Sequence, residues 1–215
     1  IDDIAINYCS SELKNKQIVT SQNSKPYLKQ AILNDTSRSF GTTESDFIFD
    51  EILRCIISED LKYINDYLTY DRSGRGRRLG AKQKEAIWAI YLEFEKILEN
   101  NNKCTYEHRR KDAIIYAKPI FDYVFIDEAQ DFSPVQLKLC NKLVKNGNIF
   151  LTADANQSIY GSNFSWKRAA DGLDFRGKTT NLKTNYRTTL EIWNAILPVL
   201  DNIPDQDKET LDFVP

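Results

Sequence analysis

The stretch "FDYVFIDEAQD", residues 121–131, decides the fold, because an apolar run stops there at two adjacent carboxylates. An apolar strand that is buried on both faces belongs in a parallel sheet, and ligands of such sheets bind at the carboxyl ends of the strands. Asp127 stands at that end and can hold Mg²⁺, which takes oxygen ligands and keeps several waters. Glu128 can orient or deprotonate an attacking water in phosphoryl transfer. A strand that simply ends in a solvated turn would show the same pair, so the pair alone leaves both interpretations open.

The surrounding region, from 117 to 200, alternates short apolar runs with loops and helices, which predicts an α/β layer. Pro134 suits the first turn of a helix, where its missing N–H costs nothing, and Gly147 suits the helix end. The acidic stretch 201–215 is interpreted as a linker. The predicted strands are "YVFID" (123–127), "NIFLTA" (148–153) and "TTNLKT" (179–184).

Upstream of this layer, apolar residues recur every three and four positions between 46 and 100, which predicts helices. The stretch "TYDRSGRGRRLG", residues 69–80, separates them, because its glycines break helices and its four arginines cannot be buried together. Residues 1–45 are polar and predict loops with at most one short helix. The domains expected are therefore an irregular opening segment (1–45), a helical subdomain (46–115), an α/β half-domain (116–200) and a linker (201–215).

Composition narrows the class of protein. The chain has 215 residues, of which 41% are hydrophobic and 28% charged, which is enough for a packed core. No apolar stretch approaches the roughly 20 residues of a membrane span, and no signal peptide is recognisable, so we expect a cytoplasmic protein. The four cysteines form no C-x-x-C pair, which argues against disulfides and zinc. With a net charge of −2, any nucleic acid must be held by a local basic patch.

Three stretches in order, "FDYVFIDEAQDFSPVQLKL", "LTADANQSIYGSNFSWKRA" and "LKTNYRTTLEI", resemble consecutive motifs of UvrD/Rep-type superfamily 1 DNA helicases. The DEAQD form is similar to the UvrD branch rather than to the DEAD-box families. The resemblance implies a RecA-like P-loop NTPase sheet, the cofactors ATP and Mg²⁺, and single-stranded or partly duplex DNA as a partner. It also implies a translocase that moves 3′ to 5′ in DNA repair, recombination or defence.

The resemblance assigns roles to single residues. An aromatic face stacks on any base, for about 1–3 kcal/mol per base, and an arginine aimed at a γ-phosphate stabilises the charge that develops during transfer. Core packing of the aromatics and a surface ion pair of the arginine are the alternatives. The implied roles are Mg²⁺ binding for Asp127, general base for Glu128, γ-phosphate sensing for Gln157, base contacts for Tyr160 and Trp166, adenine stacking for Tyr186 and a γ-phosphate contact for Arg187.

Two basic clusters are candidates for DNA contacts. The stretch "YLTYDRSGRGRRL" followed by "AIWAIYLEFEKIL" resembles the family's 1B subdomain, in which an Arg/Gly turn precedes a Trp-bearing helix. Its arginines Arg72, Arg75, Arg77 and Arg78 can hold phosphates, and a solvated loop is the alternative. The second cluster, "HRRK" at 108–111, is predicted to be a solvated face.

No phosphate loop of the form G-x-x-x-x-G-K-[ST] precedes "YVFID"; the one match to that pattern, "GLDFRGKT" at 172–179, lies between the second and the third of the stretches above. The sequence also contains no methionine and begins at Ile1. In the resembled family that loop lies upstream of these motifs, and a second RecA-like domain lies downstream. We therefore expect an internal segment, the 1B subdomain followed by the latter part of the first RecA-like domain, which cannot hydrolyse ATP in isolation. The missing parts are then its expected partners.

A non-catalytic module that keeps the helicase fold for DNA binding or protein docking is the alternative function. The joint presence of Asp127, Glu128, Gln157 and Arg187 favours the motor, because a docking platform has no use for all four. The sheet around "YVFID" is also expected to have an unpaired edge, and such edges promote association between chains.

Overall fold

The computed structural model describes the chain over residues 1–20, 22–72, 77–153, 180, 184–185, 189, 191–192, 194–195, 198 and 212–213. Its helices up to residue 153 are α1 (Asp2–Tyr8), α2 (Ser11–Asn15), α3 (Lys25–Asn34), α4 (Ser45–Glu51), α5 (Ile64–Thr69), α6 (Ala81–Asn100), α7 (Tyr106–Tyr116) and α8 (Pro134–Leu143). Its strands are β1 (Gln17–Ile18), β2 (Lys103–Cys104), β3 (Val124–Ile126), β4 (Ile149–Leu151), β5 (Thr184–Asn185) and β6 (Asp212–Phe213).

The largest core belongs to the helical part of the chain. Helix α6 turns a stripe of buried residues, including Ile87, Ile90 and Phe94, toward α3, α4 and α5. Phe94 meets Phe49 of α4 edge to face, with ring centroids 6.0 Å apart. The three- and four-residue spacing between 46 and 100 is therefore helical, as the sequence predicts.

A wide π-helical turn, Ile52–Ile57, continues directly from α4. A π-helical turn is recognised by a backbone hydrogen bond between residues five positions apart. Here the Ser58 N–H donates to the Leu53 carbonyl at 2.9 Å. Leu61 N–H donates to the Ile56 carbonyl at 3.0 Å in the same way. The spacing of apolar residues predicts a plain α-helix here and does not reveal the extra residue in the turn.

The prediction of an irregular segment over residues 1–45 is wrong. Helices α1, α2 and α3 lie there, together with a short 3₁₀ turn at Thr42–Glu44. Each of these helices buries few residues, which explains why the sequence looks polar: α3 buries Leu28, Ala31 and Ile32, and α1 buries Ala5 alone. The segment also divides between two cores. Helix α3 packs in the large helical core, whereas α1 packs against α7 in a second cluster that includes Leu139 and Leu143 of α8.

The first two predicted strands are present and pair in parallel. In β3 and β4, Val124 lies opposite Ile149, Phe125 opposite Phe150, and Ile126 opposite Leu151. Helix α8 connects the two strands, so they form a β–α–β unit. The helix begins at Pro134 as predicted, but it ends at Leu143, and the short turn Lys145–Gly147 with positive φ at Gly147 follows.

One face of this sheet is buried and the other is not. Ile126 packs with Leu137 and Cys140 of α8. On the opposite face Phe125 and Phe150 are 76% and 59% exposed. The expectation of a strand buried on both faces is therefore wrong for this part of the chain, since alternate side chains of a strand point to opposite faces and only one face is covered by α8.

Two further parallel pairs form separate two-stranded sheets. Strands β1 and β2 pair through Gln17 and Lys103, which joins the start of the chain to the end of α6. Strands β5 and β6 pair through Thr184 and Asp212, so the predicted linker contains a short strand. The predicted strand at 179–184 otherwise falls mostly outside the described residues. No helix within the described ranges is long and apolar enough to cross a membrane.

Candidate functional site

The carboxyl ends of β3 and β4 meet at a small polar site. Asp127 follows β3 and Thr152 follows β4, and the Thr152 hydroxyl donates to Asp127 Oδ1 at 2.5 Å. Two backbone bonds run beside this contact: Thr152 N–H donates to the Ile126 carbonyl at 2.9 Å, and Ala129 N–H donates to the Thr152 carbonyl at 2.8 Å. The parallel ladder therefore extends past the last strand residues and fixes the two polar side chains relative to each other.

Glu128 has left-handed backbone, with φ 53° and ψ 49°. A non-glycine residue in this conformation costs on the order of 1 kcal/mol or more, and such residues cluster at functional sites. Its N–H donates to Asp127 Oδ1 at 3.1 Å, and its side-chain Oε2 accepts from Gln130 Nε2 at 2.6 Å. Gln130 is only 2% exposed, so a buried amide orients an exposed carboxylate.

The turn that carries these residues is anchored at the start of α8. Ser133 Oγ accepts from Gln136 N–H at 3.3 Å, and Gln136 Oε1 accepts from Ser133 N–H at 2.8 Å, which is a capping box. Val135 N–H donates to the Ser58 carbonyl at 3.2 Å, at the end of the π-helical turn. The helical part of the chain therefore supports the base of the site directly.

The donor set fits a magnesium ion. Asp127 and Glu128 are exposed and offer carboxylate oxygens, and the Thr152 hydroxyl beside them is bonded to Asp127. Within the described residues, no three His, Cys, Asp or Glu side chains are grouped closely enough to hold a metal by themselves. Mg²⁺ suits such a site, because it is commonly held by one or two carboxylates and takes its other ligands from water and substrate phosphates.

Sequence reasoning missed two members of this site, Thr152 and Gln130. Thr152 could have been predicted from the sequence, because it lies near the carboxyl end of the next predicted strand and parallel strands bring those ends together. Gln130 could not have been predicted from the sequence, because its contact with Glu128 depends on the left-handed turn at that residue.

The second half of the predicted site lies outside the described residues. The roles of its members stay predictions. These residues are Gln157, Tyr160, Trp166, Tyr186 and Arg187, together with Arg75 of the basic loop.

Arg72 is not available to a DNA phosphate in this conformation. Its side chain is 7% exposed and faces Glu51, which is fully buried. The guanidinium binds both carboxylate oxygens, with Nε 2.6 Å from Oε1 and Nη2 2.7 Å from Oε2. The sequence expectation treated the four arginines as a solvent-exposed set, and it did not foresee that a buried glutamate from another helix would take one of them.

Arg77 and Arg78 differ in their surroundings. The Arg77 guanidinium lies 4.7 Å from the ring centroid of Phe47 and 5.5 Å from that of Phe40, and its Nη1 lies 2.6 Å from Glu44 Oε1. The bond to Arg77 lowers the pKa of Glu44 below its ordinary value. Both arginines are exposed, but the Arg77 guanidinium is partly occupied by protein groups.

The prediction that the "HRRK" cluster is a solvated face is wrong. Its four side chains make hydrogen bonds and ion pairs with other parts of the chain. All four side chains are only partly exposed. Their partners lie on α1, α6 and α7, at the end of α2, and in the loop that follows the π-helical turn. His108 contacts Glu95, Arg109 donates to the carbonyls of Leu13, Lys14 and Lys16, Arg110 contacts Asp2 and Glu107, and Lys111 contacts Asp60.

Comparison with known proteins gives a consistent assignment. A family model described as the UvrD/REP helicase N-terminal domain matches residues 5–171. A probable DNA helicase II homolog of Rickettsia conorii is 32% identical over 137 residues, which cover 60% of this chain and 20% of that protein. The DNA helicase II of Haemophilus influenzae is 32% identical over 93 residues, which cover 40% of this chain and 12% of that protein. A mitochondrial ATP-dependent DNA helicase of Saccharomyces cerevisiae is 31% identical over 127 residues, which cover 57% and 17%.

The chain spans between 12% and 20% of the length of these curated relatives. The family match, in contrast, covers well over half of the chain and includes both ends of the β3–α8–β4 unit. The chain therefore belongs to the UvrD/REP helicase family, within its N-terminal domain.

Proposed function

We propose that this chain carries the magnesium-holding and water-activating edge of an ATP-driven, UvrD-type DNA translocase. The observation that supports this most is the placement of Asp127 and Glu128 at the carboxyl end of a parallel strand, beside Thr152. Relatives of the chain bear the names DNA helicase II and ATP-dependent DNA helicase.

In this proposal Asp127 holds Mg²⁺, and Glu128 orients the attacking water or accepts its proton. A Mg²⁺ ion held there would supply positive charge against the charge that develops on the transferred phosphate. Gln130 restrains the Glu128 carboxylate through its 2.6 Å bond. Gln157 and Arg187 contact the γ-phosphate, and Tyr186 stacks on adenine.

The architecture proposed for the whole motor is RecA-like. The β3–α8–β4 unit supplies two parallel strands of such a P-loop NTPase sheet, and the helical part of the chain corresponds to a 1B-like subdomain. Because no Gly-Lys-Ser/Thr motif precedes β3 in the sequence, we propose that a further segment supplies the phosphate cradle. A second RecA-like domain completes the site.

DNA is proposed to contact this chain at bases and at phosphates. Tyr160 and Trp166 stack on unstacked bases of a single strand, and Arg75, Arg77 and Arg78 bind phosphates. Arg72 is left out of this set because Glu51 occupies its guanidinium. Movement is proposed to run 3′ to 5′, in repair, recombination or defence against foreign DNA.

The DNA proposal is tested by fluorescence anisotropy with labelled single-stranded DNA over a salt series. We expect salt-sensitive binding that is weakened by Tyr160→Ala and by the pair Arg75→Ala/Arg78→Ala. Lys96→Ala is the matched control, since Lys96 is 72% exposed near the far end of α6. Absence of binding at every salt concentration, or equal losses in the control, would contradict a DNA track on this chain.

The nucleotide proposal has its own test. The pure 215-residue chain is expected to show no Mg²⁺-dependent ATP hydrolysis, because no phosphate loop precedes β3. A coupled ATPase assay measures this, with a heat-treated sample as the baseline. ATP hydrolysis by the pure chain would contradict the proposal that another segment supplies the phosphate cradle.

A non-catalytic docking module is the second candidate. The exposed pair Phe125 and Phe150 favours it, because adjacent aromatic side chains on an uncovered sheet face are typical of contact surfaces. A Gly-Lys-Thr motif encoded upstream supports the motor, whereas a start codon at this position supports the module.

A further inference from the structure

We propose that Thr152 is the positioning residue of the metal-holding carboxylate: its hydroxyl fixes Asp127 Oδ1 and leaves Oδ2 for a divalent cation. This inference rests on the proposed role of Asp127. Thr152 acts through Asp127 and is not itself a ligand in this arrangement.

The two hydrogen bonds to Asp127 converge on one oxygen atom. Oδ1 accepts from the Thr152 hydroxyl at 2.5 Å and from the Glu128 N–H at 3.1 Å, and neither contact uses Oδ2. A carboxylate at a strand end otherwise rotates over a broad range, because the terminal torsion of aspartate has no sharp minima. Two donors on one oxygen hold the plane of the group, and a hydroxyl that donates to an ionised carboxylate makes a charge-assisted bond.

Thr152 is itself held in place. Its N–H and carbonyl bond to Ile126 and Ala129, at 2.9 Å and 2.8 Å, on the two sides of Asp127 and Glu128. Threonine is also β-branched, so its side-chain torsion is restricted. The hydroxyl is therefore positioned by the sheet before any ligand binds, which is the kind of support that keeps a metal-binding carboxylate in a productive orientation.

Threonine offers matched variants for a test. Thr152→Val keeps the branched shape and removes the hydroxyl, while Thr152→Ser keeps the hydroxyl and removes the methyl group. Asp127→Asn tests the proposed metal site itself. The probe is Mn²⁺, titrated into the full 215-residue chain and followed by the broadening of the Glu128 and Ala129 amide NMR signals, with Mg²⁺ as competitor.

The expected result has three parts. Wild-type chain shows local broadening that Mg²⁺ reverses, and Asp127→Asn abolishes it. Thr152→Val weakens Mn²⁺ binding by about 10-fold or more, which is typical for the loss of a group that orients a ligand, whereas Thr152→Ser stays close to wild type. Without metal, Thr152→Val also shifts the Asp127 carboxyl ¹³C signal, and Thr152→Ser does so less.

The contradictory results are separable. If wild type shows no local broadening, or if Asp127→Asn binds as wild type does, the proposed metal role fails and the positioning role fails with it. If Asp127→Asn loses binding while Thr152→Val keeps wild-type affinity, the metal role stands and the positioning role is overturned. Circular dichroism confirms folding of each variant, and Thr152→Ala replaces Thr152→Val if the valine variant does not fold.

Discussion

Arg72 and Glu51 form a two-pronged ion pair inside the helical part of the chain, with nitrogen to oxygen distances of 2.6 and 2.7 Å. The Tyr67 hydroxyl donates to the same carboxylate at 2.8 Å. Burial alone would lower the pKa of Arg72, but its bonds to Glu51 outweigh burial and raise it. Arg72 Nη1 also donates to the Arg77 carbonyl at 2.6 Å, so the buried pair holds the far end of the basic loop as well as the core.

Removal of one partner of this pair is expected to destabilise the fold strongly. Arg72→Met should lower the free energy of unfolding by about 3–5 kcal/mol, because it leaves the Glu51 carboxylate buried without its cation. Urea unfolding followed by circular dichroism measures the change. Arg54→Met is the control, since the ion pair of Arg54 with Asp50 is 37% and 47% exposed, and it should change stability by about 1 kcal/mol or less. Equal losses in both variants would contradict the structural role of the buried pair.

The pH dependence of stability should contain a contribution from Cys140. Burial against the sheet raises the pKa of its thiol from 9.0 to about 11. The folded state therefore favours the protonated thiol, so its contribution is complete below pH 9 and is lost as pH rises through about 11. The loss amounts to about 3 kcal/mol at most, at about 1.36 kcal/mol per pKa unit.

The measurement for Cys140 is urea unfolding at several pH values between 8 and about 11.5. Cys140→Ala is the comparison, because it lacks the thiol while the other titrating groups stay the same. The free energy of unfolding should fall more steeply with pH in wild type than in the variant. Parallel pH curves would contradict the assignment.

The cap of α8 should contribute to the stability of the turn that carries Asp127. Ser133→Ala removes the acceptor of the Gln136 N–H bond and should cost about 1 kcal/mol. Ser133→Asp keeps an acceptor at the same position and should stay near wild type. Thermal unfolding gives the stability, and amide hydrogen exchange at Val135 shows whether the first turn of the helix opens. Equal stability of the alanine and aspartate variants would argue against the cap.

Self-association should depend on the uncovered face of the sheet. Phe125→Thr removes the more exposed member of an aromatic pair whose ring centroids lie 5.9 Å apart. It should lower the concentration dependence of the sedimentation coefficient, because apolar patches and sheet edges promote contacts between chains. Leu33→Gln is the control, since Leu33 is 74% exposed on α3, away from the sheet. A larger effect of the control would place the contact elsewhere.

The sequence predicted the parts of the fold that depend on local pattern. The presence of β3 and β4 follows from short apolar runs, although both strands are shorter than predicted, and the start of α8 follows from Pro134. The pairing of Asp127 with Thr152 was within reach of the same reasoning, because parallel strands bring their carboxyl ends together.

The parts that the sequence did not predict depend on contacts between distant positions. The residues next to Arg72 in the sequence do not indicate that Glu51 is its partner. Likewise, the sequence "HRRK" does not indicate that side chains of α7 bond to α1, α2 and α6. A buried charge is acceptable only when a partner meets it, and that partner is known only from the folded chain. Composition alone therefore overestimates the number of cations that are exposed to solvent.

The π-helical turn at Ile52–Ile57 makes the chain length between Glu51 and Ser58 a constraint. Removal of one residue from this stretch would restore an ordinary helix and rotate everything beyond it by about 100°. Glu51 could then still meet Arg72, but the Ser58 carbonyl would turn away from the Val135 N–H that it now receives at 3.2 Å. Conservative substitutions within this turn should be tolerated. A single deletion, in contrast, would break the contact between the helical part of the chain and the base of the Asp127 site.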